Sequence, residues 1–364
     1  MDIYCTRCKA TYPPEGVFYQ CPQCGGLFDF RRPSPFDFKS IDDRQPGIWR
    51  YRHSFGLPDT AEPVSLGEGG TPLVPVEFLA RTVFFKCEYL NPTGSFKDRG
   101  SSLIAAWLRF QGVMEAVEDS SGNAGASFAA YAARAGMRAD IFVPDSASGP
   151  KRSQIEAYGA KLIPISGSRE NVTEAAQKAI EGGIAYASHA YLPFNLPGYA
   201  TAAYEIFEQL GQMPASVIVP AGQGGLLLGL ARGFDALRIA TNASIIPEMV
   251  AVQARACAPL WARLHPNETG LNESLDQPTL AEGVRVRFPL RIEAVISAVT
   301  ESGGSIVVIE ENEILPARDW LGHFGLYVEP TSALTGAALK KMIDQLPDPI
   351  VVVLTGFGLK YGVK

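Results

Sequence analysis

Short apolar runs alternate with stretches of helical period along much of the chain. VFFKCEYL (83–90) reads as a strand, followed by a helical run SSLIAAWLRF (101–110). MEAVED (114–119) precedes a helix over 124–135, and ADIFVP (139–144) precedes one over 149–158. KLIPI (161–165) precedes a helix over 170–181, and the short IAYAS (184–188) precedes one over 199–210. SVIV (216–219) runs into PAGQGGLLLG (220–229), and VVVLTGFGLK (351–360) reads as a buried strand ending in a Gly-x-Gly turn. Apolar strands alternating with helices imply an α/β class built of parallel sheets in βα units. Two stretches fall outside this alternation. RRPSPFDFKSIDDRQPGIWRYR (31–52) is rich in proline and charge and reads as a linker arm wrapping the next domain. SLGEGGTPL (65–73) reads as a glycine-rich loop before the first strand.

Composition narrows the class. At 364 residues the chain suggests two domains. It is 46% hydrophobic and 19% charged, which indicates a globular rather than a disordered protein. The net charge of −6 argues against nucleic acid as a partner, because phosphate backbones need basic patches. No apolar stretch is long enough to span a membrane, and MDIYCTRCKA is polar rather than signal-like. The expectation is a soluble, cytoplasmic protein.

Four of the six cysteines are clustered: Cys5, Cys8, Cys21 and Cys24. Two C-x-x-C knuckles can hold four thiolates tetrahedrally around a structural zinc. Disulfides fit less well in a chain without a secretory signal, and a metal-free ribbon stays open. A full cysteine set leaves no open position for substrate, so no catalysis is assigned to it. Cys87 and Cys257 lie in apolar stretches and read as packing residues.

NPTGSFKDRG (91–100) puts Lys97 after a tight turn and at the start of a helical run. A single such lysine is ordinarily a solvated one. In a partly buried pocket, however, burial disfavours the ammonium, and the amine can form a Schiff base with an aldehyde. Three other segments supply what an aldehyde cofactor needs. SSGNAGAS (120–127) opens an alanine-rich helix whose N-terminus can bind a carboxylate. PAGQGGLLLG follows a strand and forms a glycine loop suited to a phosphate. Thr355, at the end of the last strand, can hydrogen-bond a neutral pyridine nitrogen, and no carboxylate adjoins it.

As a set, NPTGSFKDRG, SSGNAGAS, EPTSALTG (329–336) and TGFGLK (355–360) resemble the fold-type II pyridoxal-phosphate enzymes, within them the threonine synthase-like lyases. The resemblance runs from about residue 65 to the end. It implies pyridoxal 5′-phosphate as cofactor and Lys97 as the lysine that carries it. Phe96 packs beside the ring, Asn123 bonds its 3′-hydroxyl, and Thr355 faces its nitrogen. Gly222, Gln223, Gly224, Gly225 and Leu226 hold the phosphate through backbone N–H groups. The substrate carboxylate falls to Ser121, Gly122, Asn123, Ala124 and Gly125, with His189 close by. The implied layout is a ribbon over 1–30, a larger domain over 31–87 and 191–364, and a smaller one over 88–190. The family also implies a homodimer acting on a small amino acid, and some of its members begin with a zinc ribbon.

The implied reaction converts O-phosphohomoserine and water to threonine and phosphate. One segment departs from the family. Relatives carry Asn-Ser, then an arginine, then Gly-x-Lys-Thr before the helix of AYEIFEQLG. Here Ala190 stands at the usual serine, Asn195 at the usual arginine and Ala200 at the usual lysine. Asparagine cannot give the bidentate, permanently charged clamp of an arginine. Lys151, Arg152, Arg285 and Arg287 are the candidates to compensate. A deaminase or β-replacement enzyme acting on serine, threonine, phosphoserine or a related amino acid is the alternative.

Overall fold

The computed structural model of the chain describes residues 2–31, 35–145, 149–180, 183–267 and 276–361. The chain divides into two compact units. The first comprises the described residues up to Gly69 together with Asn91–Gly198, and the second comprises Gly70–Leu90 and Tyr199–Tyr361.

In the first unit a parallel sheet runs in the order Lys161–Ile165, Arg138–Pro144, Glu115–Glu118, Ala185–Tyr186. Each of the first three strands in the chain feeds a helix: Asn123–Ala135, Pro150–Ala157 and Arg169–Ala179. The arrangement matches the expected βα units, with boundaries moved by a few residues at most. A further antiparallel hairpin pairs Ile3–Cys5 with Phe28–Phe30. The proline-rich arm contributes to the core. Ile48, Trp49 and Tyr51 are at most 1% exposed, and the Trp49 indole N–H is shared between Glu68 Oε1 and Ser102 Oγ at 3.0 and 2.9 Å. Gly47 makes this possible, because a Cβ there would lie 1.8 Å from the Glu68 carbonyl oxygen.

The second unit holds a six-stranded sheet ordered Ser305–Ile309, Glu248–Ala254, Ser216–Pro220, Ile350–Val353, Arg81–Lys86, Leu73–Phe78. All neighbours are parallel except the last pair, a hairpin. Its two central strands are buried along their whole length, as helix-covered parallel strands require. Lys86 is an unusual member of this sheet. It is fully buried, and its ammonium donates to Thr71 O, Glu205 Oε2 and Gln209 Oε1 at 2.7, 2.7 and 3.0 Å, which uses all three protons.

One helix starts earlier than its sequence suggests. The Pro197–Gly198 pair reads as a breaker, yet the helix spans Asn195–Leu210. Proline is tolerated in a first turn because its missing N–H would have no partner there. Gly198 is needed for packing, since a Cβ would lie 2.1 Å from the Arg99 carbonyl oxygen. No helix among the described residues is long and apolar enough to cross a membrane.

Candidate active site

The expected site residues lie in both units. In the first, Lys97 is the first residue of the helix Lys97–Phe110, with Phe96 as its N-cap. The turn before it is fixed by Asp98, which is fully buried. Asp98 Oδ2 accepts from Thr93 N, Oδ1 accepts from Thr93 Oγ1, and Ser127 Oγ donates to Oδ1, each at 2.6 Å. Gly94 holds φ +84° in that turn. Lys97 is half-buried, and its Nζ lies 4.8 Å from the centre of the Phe96 ring.

The loop 120–125 follows the strand Glu115–Glu118 and opens the helix Asn123–Ala135. Gly122 is the N-cap, no side chain caps the helix, and its first turn holds no acidic residue. Gly125 is required, because a Cβ would fall 1.8 Å from Ser120 O. Backbone donors at such an uncapped end suit a carboxylate.

In the second unit, the strand Ser216–Pro220 runs through residues 221–224 into the helix Gly225–Thr241. The loop is pinned at both ends. Ala221 N donates to Val252 O at 2.8 Å, and Gln253 Nε2 donates to Ala221 O at 3.0 Å. Gln223 Oε1 accepts from Leu290 N at 3.1 Å. Gly224 is left-handed at φ +77°, and a Cβ there would strike Val295 Cγ2 at 2.4 Å. The helix has neither a side-chain cap nor an acidic first turn, which leaves its positive end for an anion.

Thr355 lies two residues beyond the strand Ile350–Val353 and is 3% exposed. Ser332 holds it in place. Ser332 Oγ accepts from Thr355 N and from Gly356 N, both at 2.9 Å, and lies 3.0 Å from Thr355 Oγ1. The motifs EPTSALTG and TGFGLK, separate in sequence, are therefore one local structure. Gly356 completes it, since a Cβ would lie 2.2 Å from Glu329 Oε1. Each unit by itself offers groups of a kind that pyridoxal phosphate requires: an amine on a fixed turn in the first, and an uncapped helix end after a glycine loop and an oriented hydroxyl in the second.

The family model of the pyridoxal-phosphate dependent enzymes matches residues 64–356. The chain belongs to that family. Its curated relatives include the threonine synthase of Methanocaldococcus jannaschii, 32% identical over 98% of this chain and 92% of the relative. Among solved structures, a threonine deaminase of T.th. is 27% identical with TM-score 0.66, covering 80% of this chain and 94% of that one. A maize serine racemase shares the fold with TM-score 0.69 at 24% identity, covering 80% and 89%. The chain is thus a fold-type II, pyridoxal-phosphate-dependent lyase, and the α/β expectation holds.

Sequence reasoning missed three supporting residues. They are Glu118 at the end of a strand, Ser332 in a helix start and Gln253 in a strand. All three are buried at 0%. Asn195, expected in place of a phosphate-binding arginine, is 2% exposed, and its Nδ2 donates to His189 O at 2.5 Å. Of the compensating cations, Arg152 pairs with Glu156 on its own helix, Arg285 pairs with Asp276, and Arg287 lies over Phe288.

The four clustered cysteines gather in the hairpin region. All four Sγ atoms lie within 4.8 Å of one another, with Cys5–Cys24 at 3.5 Å and Cys8–Cys21 at 3.6 Å. Burial opposes the Cys5 thiolate, but the N–H groups of Cys8 and Arg7 outweigh it and bring the thiol down to about 7. Gly26 is needed beside the cluster, as a Cβ would lie 2.7 Å from Cys5 Sγ. Such a donor set can hold a soft divalent metal.

Proposed function

We propose that the protein is a threonine synthase-like lyase that converts O-phosphohomoserine and water to threonine and phosphate. The observation that carries this reading is the likeness to curated threonine synthases across nearly the whole chain. Bound pyridoxal phosphate would draw off the electron pair left when the α proton departs. Lys97 would carry the cofactor and then act as base for that proton. Backbone N–H groups of residues 121–125 would hold the substrate carboxylate. Those of Gly222, Gln223, Gly224, Gly225 and Leu226 would hold the cofactor phosphate. Asn123 would bond the ring hydroxyl, Phe96 would pack on the ring, and Thr355 would donate to the ring nitrogen.

Cys5, Cys8, Cys21 and Cys24 would bind one structural zinc. Thiolates about 2.3 Å from a tetrahedral zinc lie roughly 3.8 Å apart, a spacing this cluster can adopt with small movements. The protein would work in the cytoplasm as a homodimer. The altered segment around Ala190 and Asn195 favours a second reading, a deaminase or β-replacement enzyme on serine, threonine or phosphoserine. Incubating cofactor-loaded protein with each amino acid and separating the products decides between them. Threonine and phosphate from O-phosphohomoserine support the first reading. 2-Oxoacids from serine or threonine, with no phosphate release from O-phosphohomoserine, refute it.

A further inference from the structure

The strand Glu115–Glu118 ends in a carboxylate that the chemistry above does not use. The Glu118 side chain is 1% exposed, and its hydrogen bonds among the described residues go to one neighbour, His189 N at 3.3 Å and His189 Nδ1 at 3.0 Å. Asn195 steadies the same residue through His189 O. Its own Oδ1 is buried and has no hydrogen-bond partner among the described residues. The His189 ring keeps 19% exposure. With Nδ1 turned to Glu118, Nε2 is the ring atom left for a ligand.

The charges around the pair set its proton. Burial, then Lys97 and Arg169, push His189 well below the ordinary histidine range, so the ring is neutral near pH 7. Burial and Asp119 push Glu118 well up, while Arg169 and Lys97 act against that shift. Arg169 is itself committed to Asp119 at 2.8 Å. A neutral imidazole held through Nδ1 by a buried carboxyl group is an acid–base group, and it offers no clamp for a phosphate dianion.

We infer that His189 is the base for the water added to the substrate side chain, with Glu118 as its positioning residue. The inference rests on the threonine synthase reading and names the group that serves its hydration step. A water oxygen bonds to the unsaturated β carbon while one water proton passes to Nε2. The carbon–carbon double-bond pair ends in the α C–H bond, whose proton returns from the Lys97 ammonium. The imidazolium formed is held by Glu118 until it gives its proton to solvent.

The test uses the holoenzyme with His189→Asn and Glu118→Gln. It reads two signals: exchange of the substrate α proton in D2O by NMR, and threonine formation. His189→Asn should keep α exchange within about tenfold while threonine formation falls roughly 10²–10⁴-fold. The acidic limb of the wild-type kcat/KM profile should vanish with it. Glu118→Gln should lose less and retain the acidic limb, because its amide can still hydrogen-bond Nδ1 and keep the ring turned. His189→Asn making threonine at the wild-type rate overturns the inference alone. So does an equal loss of exchange and hydration, which marks a merely structural histidine. A wild-type protein that exchanges no α proton overturns the reading of Lys97, and the inference with it.

Discussion

Replacing Ser332 with alanine removes one oxygen that two buried backbone N–H groups share. Thr355 N and Gly356 N each donate to Ser332 Oγ at 2.9 Å, and Ser332 is fully buried. An unsatisfied buried donor costs about 1–3 kcal/mol, so two cost roughly 2–6 kcal/mol. The space left by one hydroxyl is too small for a water to take over both bonds. The variant also frees the Thr355 hydroxyl, which loses its neighbour at 3.0 Å. A misdirected Thr355 should weaken pyridoxal phosphate binding by about 1 kcal/mol, or roughly fivefold in Kd. Urea unfolding of the apoprotein reads the first effect, and cofactor titration by absorbance reads the second. A stability loss below about 0.5 kcal/mol would refute the claim that Ser332 is the acceptor holding this turn. Normal stability with a tighter cofactor would refute its link to Thr355.

Other changes follow from the same geometry. Gly125→Ala places a Cβ 1.8 Å from Ser120 O, so the loop must shift. Amino-acid affinity, titrated through the cofactor spectrum, should drop at least about tenfold while the cofactor still binds; unchanged affinity would remove the loop from carboxylate binding. Metal analysis should find about one zinc per chain, and chelation should lower thermal stability before it affects turnover. Loss of turnover at once, in folded protein, would contradict a structural role. Asn195→Arg should lower the melting temperature rather than create a phosphate clamp, because the site is 2% exposed and a buried unpaired charge is costly. A stable variant with improved O-phosphohomoserine KM would show that the side chain reaches substrate.

The local features were readable because local chemistry sets them. Lys97 opens its helix after a Gly-Ser-Phe turn, as its motif suggests, and both glycine loops lie between a strand and a helix. The cysteine knuckles meet because their spacing and Gly26 allow it. What escaped the sequence depends on packing between distant segments. Glu118 and Asp119 are the polar end of a strand in sequence, and their partners His189, Arg169 and Thr173 come from 50 or more positions away. Ser332 and Thr355 lie 23 positions apart, and neither motif alone shows that one oxygen joins them. Trp49 sits in a segment whose prolines and charges mask its role, because its indole partner, Glu68, comes from a different loop. The helix start at Asn195 was hidden for another reason, since Pro197 reads as a stop but is permitted in a first turn.

Every proposed step turns on Lys97 carrying pyridoxal phosphate. Borohydride reduction of the cofactor-loaded protein, followed by peptide mass analysis, tests it directly. A single pyridoxyl adduct on the peptide containing Lys97, lost in Lys97→Ala, is the predicted result. An adduct on another lysine, or full threonine formation by Lys97→Ala, would contradict the account.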